Sequence, residues 1–285
     1  MQQRGVPIGW TVPGLRALVL SGGGAYGAFE VGVIKRLAEL GRKWDVVCGV
    51  SVGAVNALQI AMYPPAQHLN AARELEQFWF AIQGNQTIYR NWTIPILEGL
   101  FGKGSIYDTT PLDNFLRSRF KSAMLAASGV KLRMGATNLR TGQIQYGTET
   151  APDVVRWVMA SAAFPGAFTP IELNGDKWID GGVRDTIPIR PAMDLGVTEM
   201  DVVLSGPESG EDHAWDLKQA GNAALVGLRS AGIMANEVFK TDLDVLKGYK
   251  GKYRIYAPYA PWDTDPLNFD PKAIRHMIDV GYGIP

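Results

Sequence analysis

The sequence holds one cysteine, Cys48, and three histidines, His68, His213 and His276, among 285 residues. A lone cysteine excludes an intramolecular disulfide and any cysteine-rich metal centre. The histidines show no H-x-x-x-H spacing, so neither a metal nor a cofactor is expected. Net charge is missing as well, because Lys plus Arg and Asp plus Glu both total 28. Phosphate affinity needs a cationic footprint, so a nucleic acid is not an expected partner. No apolar run reaches the length of a membrane-spanning helix. Met1-Gln2-Gln3-Arg4-Gly5 is not followed by the apolar region and small-residue cleavage site of a secretory signal. A cytoplasmic location is the default expectation, with secretion by a signal-free route left open.

What the chain does have suits a globular enzyme. Hydrophobic residues make up 46% and charged residues 20%, which excludes disorder. The length fits one large α/β domain, and no repeat or low-complexity linker divides it.

The opening alternates strand and helix. An apolar run, Leu15 to Leu20, leads into Ser21-Gly22-Gly23-Gly24, and a helix is predicted from about Ala25 to Leu40. Its Phe29, Val33, Leu37 and Leu40 share one face, and Gly41 sits where a helix-ending glycine belongs. A second strand, Asp45 to Val50, runs into Ser51, followed by a helix over about Val52 to Met62. This order begins a parallel α/β sheet. Later elements are strands at Lys131 to Asn138 and Gln143 to Thr148 and a helix at Pro152 to Ala163. Strands at Phe168 to Leu173 and Lys177 to Asp180 flank the turn Asn174-Gly175-Asp176. A buried strand, Met200 to Leu204, precedes a long helix at Ala214 to Phe239 and a strand at Tyr253 to Ala257. The last helix opens on Asp270 as N-cap with Pro271 behind it.

Gly49-Val50-Ser51-Val52-Gly53 matches G-x-S-x-G between a predicted strand and a predicted helix. Small residues on both sides allow the sharp turn that strains and exposes the serine, and the helix behind it points its positive end at the site. Composition alone gives roughly 0.13 such matches in a chain like this, so the strand-to-helix context carries the assignment. Gly22-Gly23-Gly24 admits two functions. As Gly22-x-Gly24-x-x-Gly27 it fits a dinucleotide fingerprint, but the next strand ends without the acid that would hold a ribose. As a run of exposed amides at a helix start it fits an oxyanion hole. Asp180-Gly181-Gly182 closes a predicted strand, where a carboxylate can enter a crevice without bulk beside it.

Together these motifs resemble the patatin-like family of lipid acyl hydrolases. Ser21 to Ala28 is similar to its oxyanion loop, Gly49 to Ala57 to its nucleophile segment, and Asp180-Gly181-Gly182-Val183 to its acid-bearing block. Ala136 to Gly142 and Ala160 to Pro170 resemble its intermediate blocks. The resemblance covers about residues 15 to 195. It implies a single patatin-like domain over 1–285, a three-layer α/β/α fold with a mostly parallel central sheet, whose C-terminal elements complete it. It further implies a Ser–Asp dyad of Ser51 and Asp180, an oxyanion hole at Gly22, Gly23 and Gly24, and a phospholipid or other acyl-ester substrate. Peripheral contact with a membrane is compatible with that substrate. Tyr26 departs from the family, which often places Arg or Lys there, and Thr186 stands where Asn is common.

With such a dyad, Asp180 must take the serine proton directly, which requires burial or like-charge pressure to raise its proton affinity. Two alternatives remain. One is an α/β-hydrolase triad using His213 or His276; His276 lies about 150° from the apolar face of its helix, on the solvated side. The other is a non-catalytic lipid-binding protein on the same fold. The stretch from Trp79 to Tyr107, with Phe80, Ile82, Ile88, Tyr89, Trp92, Ile94, Ile96, Leu97, Leu100 and Phe101, is either ordinary packing or an apolar wall over the site.

Overall fold

The computed structural model describes residues 14–91, 105–211 and 223–285. Four parallel pairings build the centre of its main sheet: β10 (Lys252–Tyr256), β9 (Glu199–Val203), β1 (Arg16–Leu20), β2 (Val46–Val50) and β5 (Lys131–Asn138) lie side by side in that order. Three antiparallel strands extend it: β6 (Ile144–Thr148) on β5, β8 (Asp176–Asp180) on β5, and β7 (Ile171–Leu173) on β8. A separate pair joins β3 (Arg90–Asn91) to β4 (Tyr107–Asp108). The α/β class and the mostly parallel sheet agree with expectation.

Alternation along β1 sorts its side chains into two cores, as a period of two requires. Leu18 and Leu20 join one core, Ala17 and Val19 the other. Both faces of the strand are therefore covered, which suits a parallel sheet. The first core is closed by α1 (Gly27–Glu39), α2 (Val52–Ala61), α3 (His68–Phe80), α4 (Thr110–Arg119) and α5 (Ser122–Ser128), with α6 (Val154–Ser161). The second is closed by α7 (Ile189–Asp194) and α8 (Ala223–Gly248). The last helix, α9 (Pro271–Tyr282), returns to the first core through Ile274, Met277 and Ile278. Asp270 caps it by accepting the Lys272 and Ala273 amides at 2.9 Å each.

Some boundaries differ from those predicted. The helix expected at Ala25 opens with a tight 3₁₀ turn, Gly24–Tyr26, before α1 begins. The strand expected from Phe168 survives only as Ile171–Leu173, since Pro170 has no amide to give a ladder. The helix expected to stop at Phe239 continues to Gly248, because Phe239 and Leu246 keep one face on the second core; its predicted start lies outside the described residues. Helices α3, α4, α5 and α7 fall where no element is predicted.

One detail of register positions the site. β2 and β6 occupy opposite edges of β5, and β8 shares the β2 edge beyond the point where β2 stops. Val50 pairs with Gly135 and Asp180 with Ala136, the next residue along. Two strands running in opposite directions thus end against each other on one neighbour. Ser51 follows the first, and Asp180 ends the second.

Candidate active site

Ser51 sits between β2 and α2 at φ 55° and ψ −126°, a left-handed backbone that a non-glycine residue adopts only when its surroundings impose it. Two close approaches impose it. A Cβ on Gly49 would lie 2.2 Å from Gly53 O, and one on Gly53 would lie 2.5 Å from Leu20 O. The glycines of the motif therefore let α2 start directly against β1 and β2. The Ser51 amide is fixed from behind: it donates to Ser161 Oγ at 2.9 Å, and that hydroxyl donates to Gly135 O at 2.5 Å. The sequence places Ser161 in a block similar to the family's and assigns it no role.

Asp180 is 2% exposed. Its Oδ1 accepts the Gly182 amide at 2.7 Å, while Oδ2 is buried and takes no hydrogen bond among the described residues. Burial pushes the carboxyl up to about 7, against the opposing pull of the Ser51 hydroxyl and the Gly182 amide.

The glycine loop lies on the other side of Ser51, a Cβ at Gly22 meeting Ser51 Cβ at 3.3 Å. Its three amides are not equivalent. That of Gly22 donates to Thr186 O at 3.0 Å. Those of Gly23 and Gly24 have no hydrogen-bond partner among the described residues, and they precede the start of α1, where the helix dipole favours negative charge. Gly24 has φ 57°, and a Cβ there would lie 2.2 Å from Pro266 O; no other residue type fits.

A cavity of about 350 Å³ opens above these groups, with Ser51, Asp180 and Gly22 to Gly24 among its lining. Its walls are mainly apolar and include Val55, Phe78, Trp79, Ile82, Phe168 and Phe269. Of the stretch read as either packing or an apolar wall, Trp79, Ile82 and Ile88 line the cavity and also belong to the buried core; Trp92, Ile94, Ile96, Leu97, Leu100 and Phe101 lie outside the described residues. Trp79 is held by its Nε1–H to Asn56 Oδ1 at 2.8 Å, and Asn56 donates to Glu30 Oε2 at 2.8 Å. Burial raises the Glu30 carboxyl well above its usual range.

The far wall was not legible in the sequence. Residues 261–269 are tied across the site by five bonds, the first from the Ala25 amide to Pro266 O at 2.7 Å. Tyr26 Oη donates to Thr264 O at 2.5 Å, Tyr89 Oη to Leu267 O at 2.6 Å, and Trp262 Nε1 to Ser205 O at 2.8 Å. The Phe269 amide donates to Asn85 Oδ1 at 2.7 Å. Tyr26, the departure from the family pattern, serves as one of these ties. Thr186, the other departure, links both halves of the site: its carbonyl holds Gly22, and its hydroxyl donates to Gly182 O at 3.2 Å. Asp242 on α8 accepts the Thr186 and Ile187 amides at 2.6 and 3.1 Å. Beside it Asp185 accepts the Tyr146 hydroxyl, and burial with the charge of Asp242 pushes Asp185 up to about 7.

The histidines stand apart. His68 is buried against Trp44, its ring centroid 5.4 Å away, and burial pushes it down to about 4. His276 is exposed on α9. Neither lines the cavity, and His213 lies outside the described residues. Among the described residues no three His, Cys, Asp or Glu side chains converge as metal ligands, and no helix is long and apolar enough to cross a membrane.

The fold is an α/β one with its cavity beyond the carboxyl ends of β1 and β2, where such sheets generally bind ligands. A family model described as patatin-like phospholipase matches residues 18–193, and the chain belongs to that family. An uncharacterised NTE-family protein of Mycobacterium tuberculosis is 27% identical over 197 residues, 68% of this chain and 50% of its own. The lysophospholipase NTE1 of Cryptococcus neoformans is 25% identical over 189 residues, 66% of this chain and 11% of its own. The chain thus spans half or less of the length of these curated relatives. Among solved structures, VipD from Legionella pneumophila aligns with a TM-score of 0.46 at 18% identity, covering 95% of this chain and 66% of that one.

Proposed function

We propose that the protein is a lipid acyl hydrolase that cleaves carboxylic esters of phospholipids, lysophospholipids or related lipids through an acyl-Ser51 intermediate. One observation carries this: a strained serine and a buried, half-bonded carboxylate share the floor of an apolar cavity. In the first step Ser51 Oγ attacks the ester carbonyl carbon while Asp180 Oδ2 takes its proton. A base with a pKa near 7 is matched to that task at neutral pH. The carbonyl oxygen becomes an oxyanion at the Gly23 and Gly24 amides, each donor contributing roughly 3 kcal/mol. Gly22, whose amide is already engaged by Thr186, shapes the loop rather than donating. Collapse of the tetrahedral intermediate expels the alcohol, which takes the proton from Asp180. Water then attacks the acyl-serine while Asp180 accepts its proton; the acyl–Oγ bond breaks, the proton passes from Asp180 to Ser51 Oγ, and the fatty acid leaves. The acyl chain lies along Phe78, Trp79 and Phe269.

The family match and the lysophospholipase among the relatives support a lipid ester as substrate. A single domain and a Ser–Asp dyad belong to the same proposal. The test is a panel of phospholipids, lysophospholipids, glycerides and short esters with products identified by mass spectrometry, alongside fluorophosphonate labelling. Hydrolysis and labelling that both vanish in Ser51→Ala support the mechanism. Labelling at another serine overturns it, and lipid binding without hydrolysis favours the non-catalytic alternative. A triad rests on His213 alone, and full activity of His213→Gln removes it.

A further inference from the structure

The Gly22 carbonyl carries an unusual load. Ser205, just beyond β9, donates its hydroxyl to Gly22 O at 2.5 Å. The Ser21 hydroxyl stands 3.1 Å from Ser205 Oγ and 3.2 Å from Gly22 O, and the Ser205 amide donates to Ser21 Oγ at 2.9 Å. Each hydroxyl has one proton, so the self-consistent arrangement is a relay. The Ser205 amide donates to Ser21, Ser21 donates to Ser205, and Ser205 donates to the carbonyl. Ser21 and Ser205 are 0% and 3% exposed.

A trans peptide is planar, with its C=O and N–H pointing in opposite directions. Whatever fixes the Gly22 carbonyl therefore also fixes the direction of the Gly23 amide, on the far side of the same peptide unit. Glycines on either side leave that plane free to rotate, because no Cβ resists. A hydrogen bond to the carbonyl also polarises the unit and strengthens its N–H as a donor. Ser205 approaches so closely that a Cβ on Gly23 would lie 2.0 Å from its hydroxyl.

We propose that Ser205 is a positioning residue for the oxyanion hole: through the Gly22–Gly23 peptide it aims and polarises the Gly23 amide. This rests on the acyl-serine mechanism proposed above. Ser205 lies outside the stretch matched by the family model, and it touches the loop rather than the reacting atoms.

The experiment compares Ser205→Ala, Ser205→Thr and Ser205→Val on a hydrolysed ester. Thr and Val have nearly the same shape and differ in the hydroxyl, so their ratio isolates the bond even where Ala fails to fold. Ser205→Ala is expected to lower kcat about 10-fold, less than the loss of a direct donor. KM should stay within about twofold, because the substrate carbonyl gains its charge only in the transition state. Fluorophosphonate labelling of Ser51 should slow by a similar factor, and Thr should exceed Val by about the same margin. Unchanged kcat in folded Ser205→Ala, equal rates for Thr and Val, or a loss confined to KM overturns the proposal. If the wild-type protein neither hydrolyses esters nor labels at Ser51, the mechanism itself fails, and that result is separate from any effect at Ser205.

Discussion

Asp180→Asn should cripple ester hydrolysis and, above pH 7, make the protein more stable. The carboxyl is fully buried, and its pKa is raised from an ordinary 3.8 to about 7. Between those values the folded state holds a proton that the unfolded state has released. Stability therefore falls as pH rises across this window, by about 1.4 kcal/mol per unit, and levels off above pH 7. The full span is on the order of 4 kcal/mol. Asparagine keeps the shape, keeps an oxygen for the Gly182 amide, and cannot ionise. Asp185 and Asp242 also have raised pKa values, but they titrate in both proteins and cancel in the difference. Thermal and denaturant unfolding of both proteins at pH 4.5, 6, 7.5 and 9 measures the effect. The variant's advantage should be small at pH 4.5 and reach about 8 °C in Tm by pH 7.5, at roughly 2 °C per kcal/mol for a chain of this size. Ester hydrolysis should fall 10²- to 10⁴-fold in the same variant. Parallel curves at every pH would refute the claim that burial holds a proton on Asp180.

For the wild type, kcat/KM should climb with pH through an apparent value near 7, as the Asp180 base loses its proton; a flat profile from pH 5 to 9 removes the carboxylate as base. Ser51→Gly should be about 1 kcal/mol more stable than Ser51→Ala in denaturant titrations, because glycine accepts the left-handed backbone without strain. Gly53→Ala should abolish activity and lower Tm by several degrees, its methyl meeting Leu20 O at 2.5 Å; normal turnover would mean the elbow tolerates a shifted helix. Phe269→Ala should raise KM for long-chain esters more than for acetate esters, and equal losses on both would detach it from the acyl wall.

The sequence made the local chemistry visible and left the assembly hidden. Ser51 could be found because its neighbours are glycines for a steric reason that acts within one turn. Asp180 could be found because it ends a strand beside two glycines. Neither motif says that β8 runs antiparallel against the edge β2 vacates, since that depends on a pairing with β5 far along the chain. Ser205 left no signal, a serine after an apolar strand being ordinary. The loop from Pro261 to Phe269 was equally silent, because its ties come from Ala25, Tyr26, Tyr89, Asn85 and Ser205, all distant in sequence. Boundaries slipped where tertiary packing overruled local preference, as at Phe239.

The abutment of β2 and β8 on β5 makes backbone hydrogen-bond spacing the ruler that separates hydroxyl from carboxylate. Loops before β5 and between β5 and β8 can lengthen, shorten or change composition without altering that separation, so long as the ladder holds. A slip of β8 by a single residue, by contrast, turns every side chain on it to the opposite face and brings Ile179 or Gly181 level with Ala136. Chemistry and substrate choice are therefore written in different currencies. Insertions outside the ladder can reshape the cavity walls around a fixed reaction, while the reaction itself tolerates no insertion within those few paired residues.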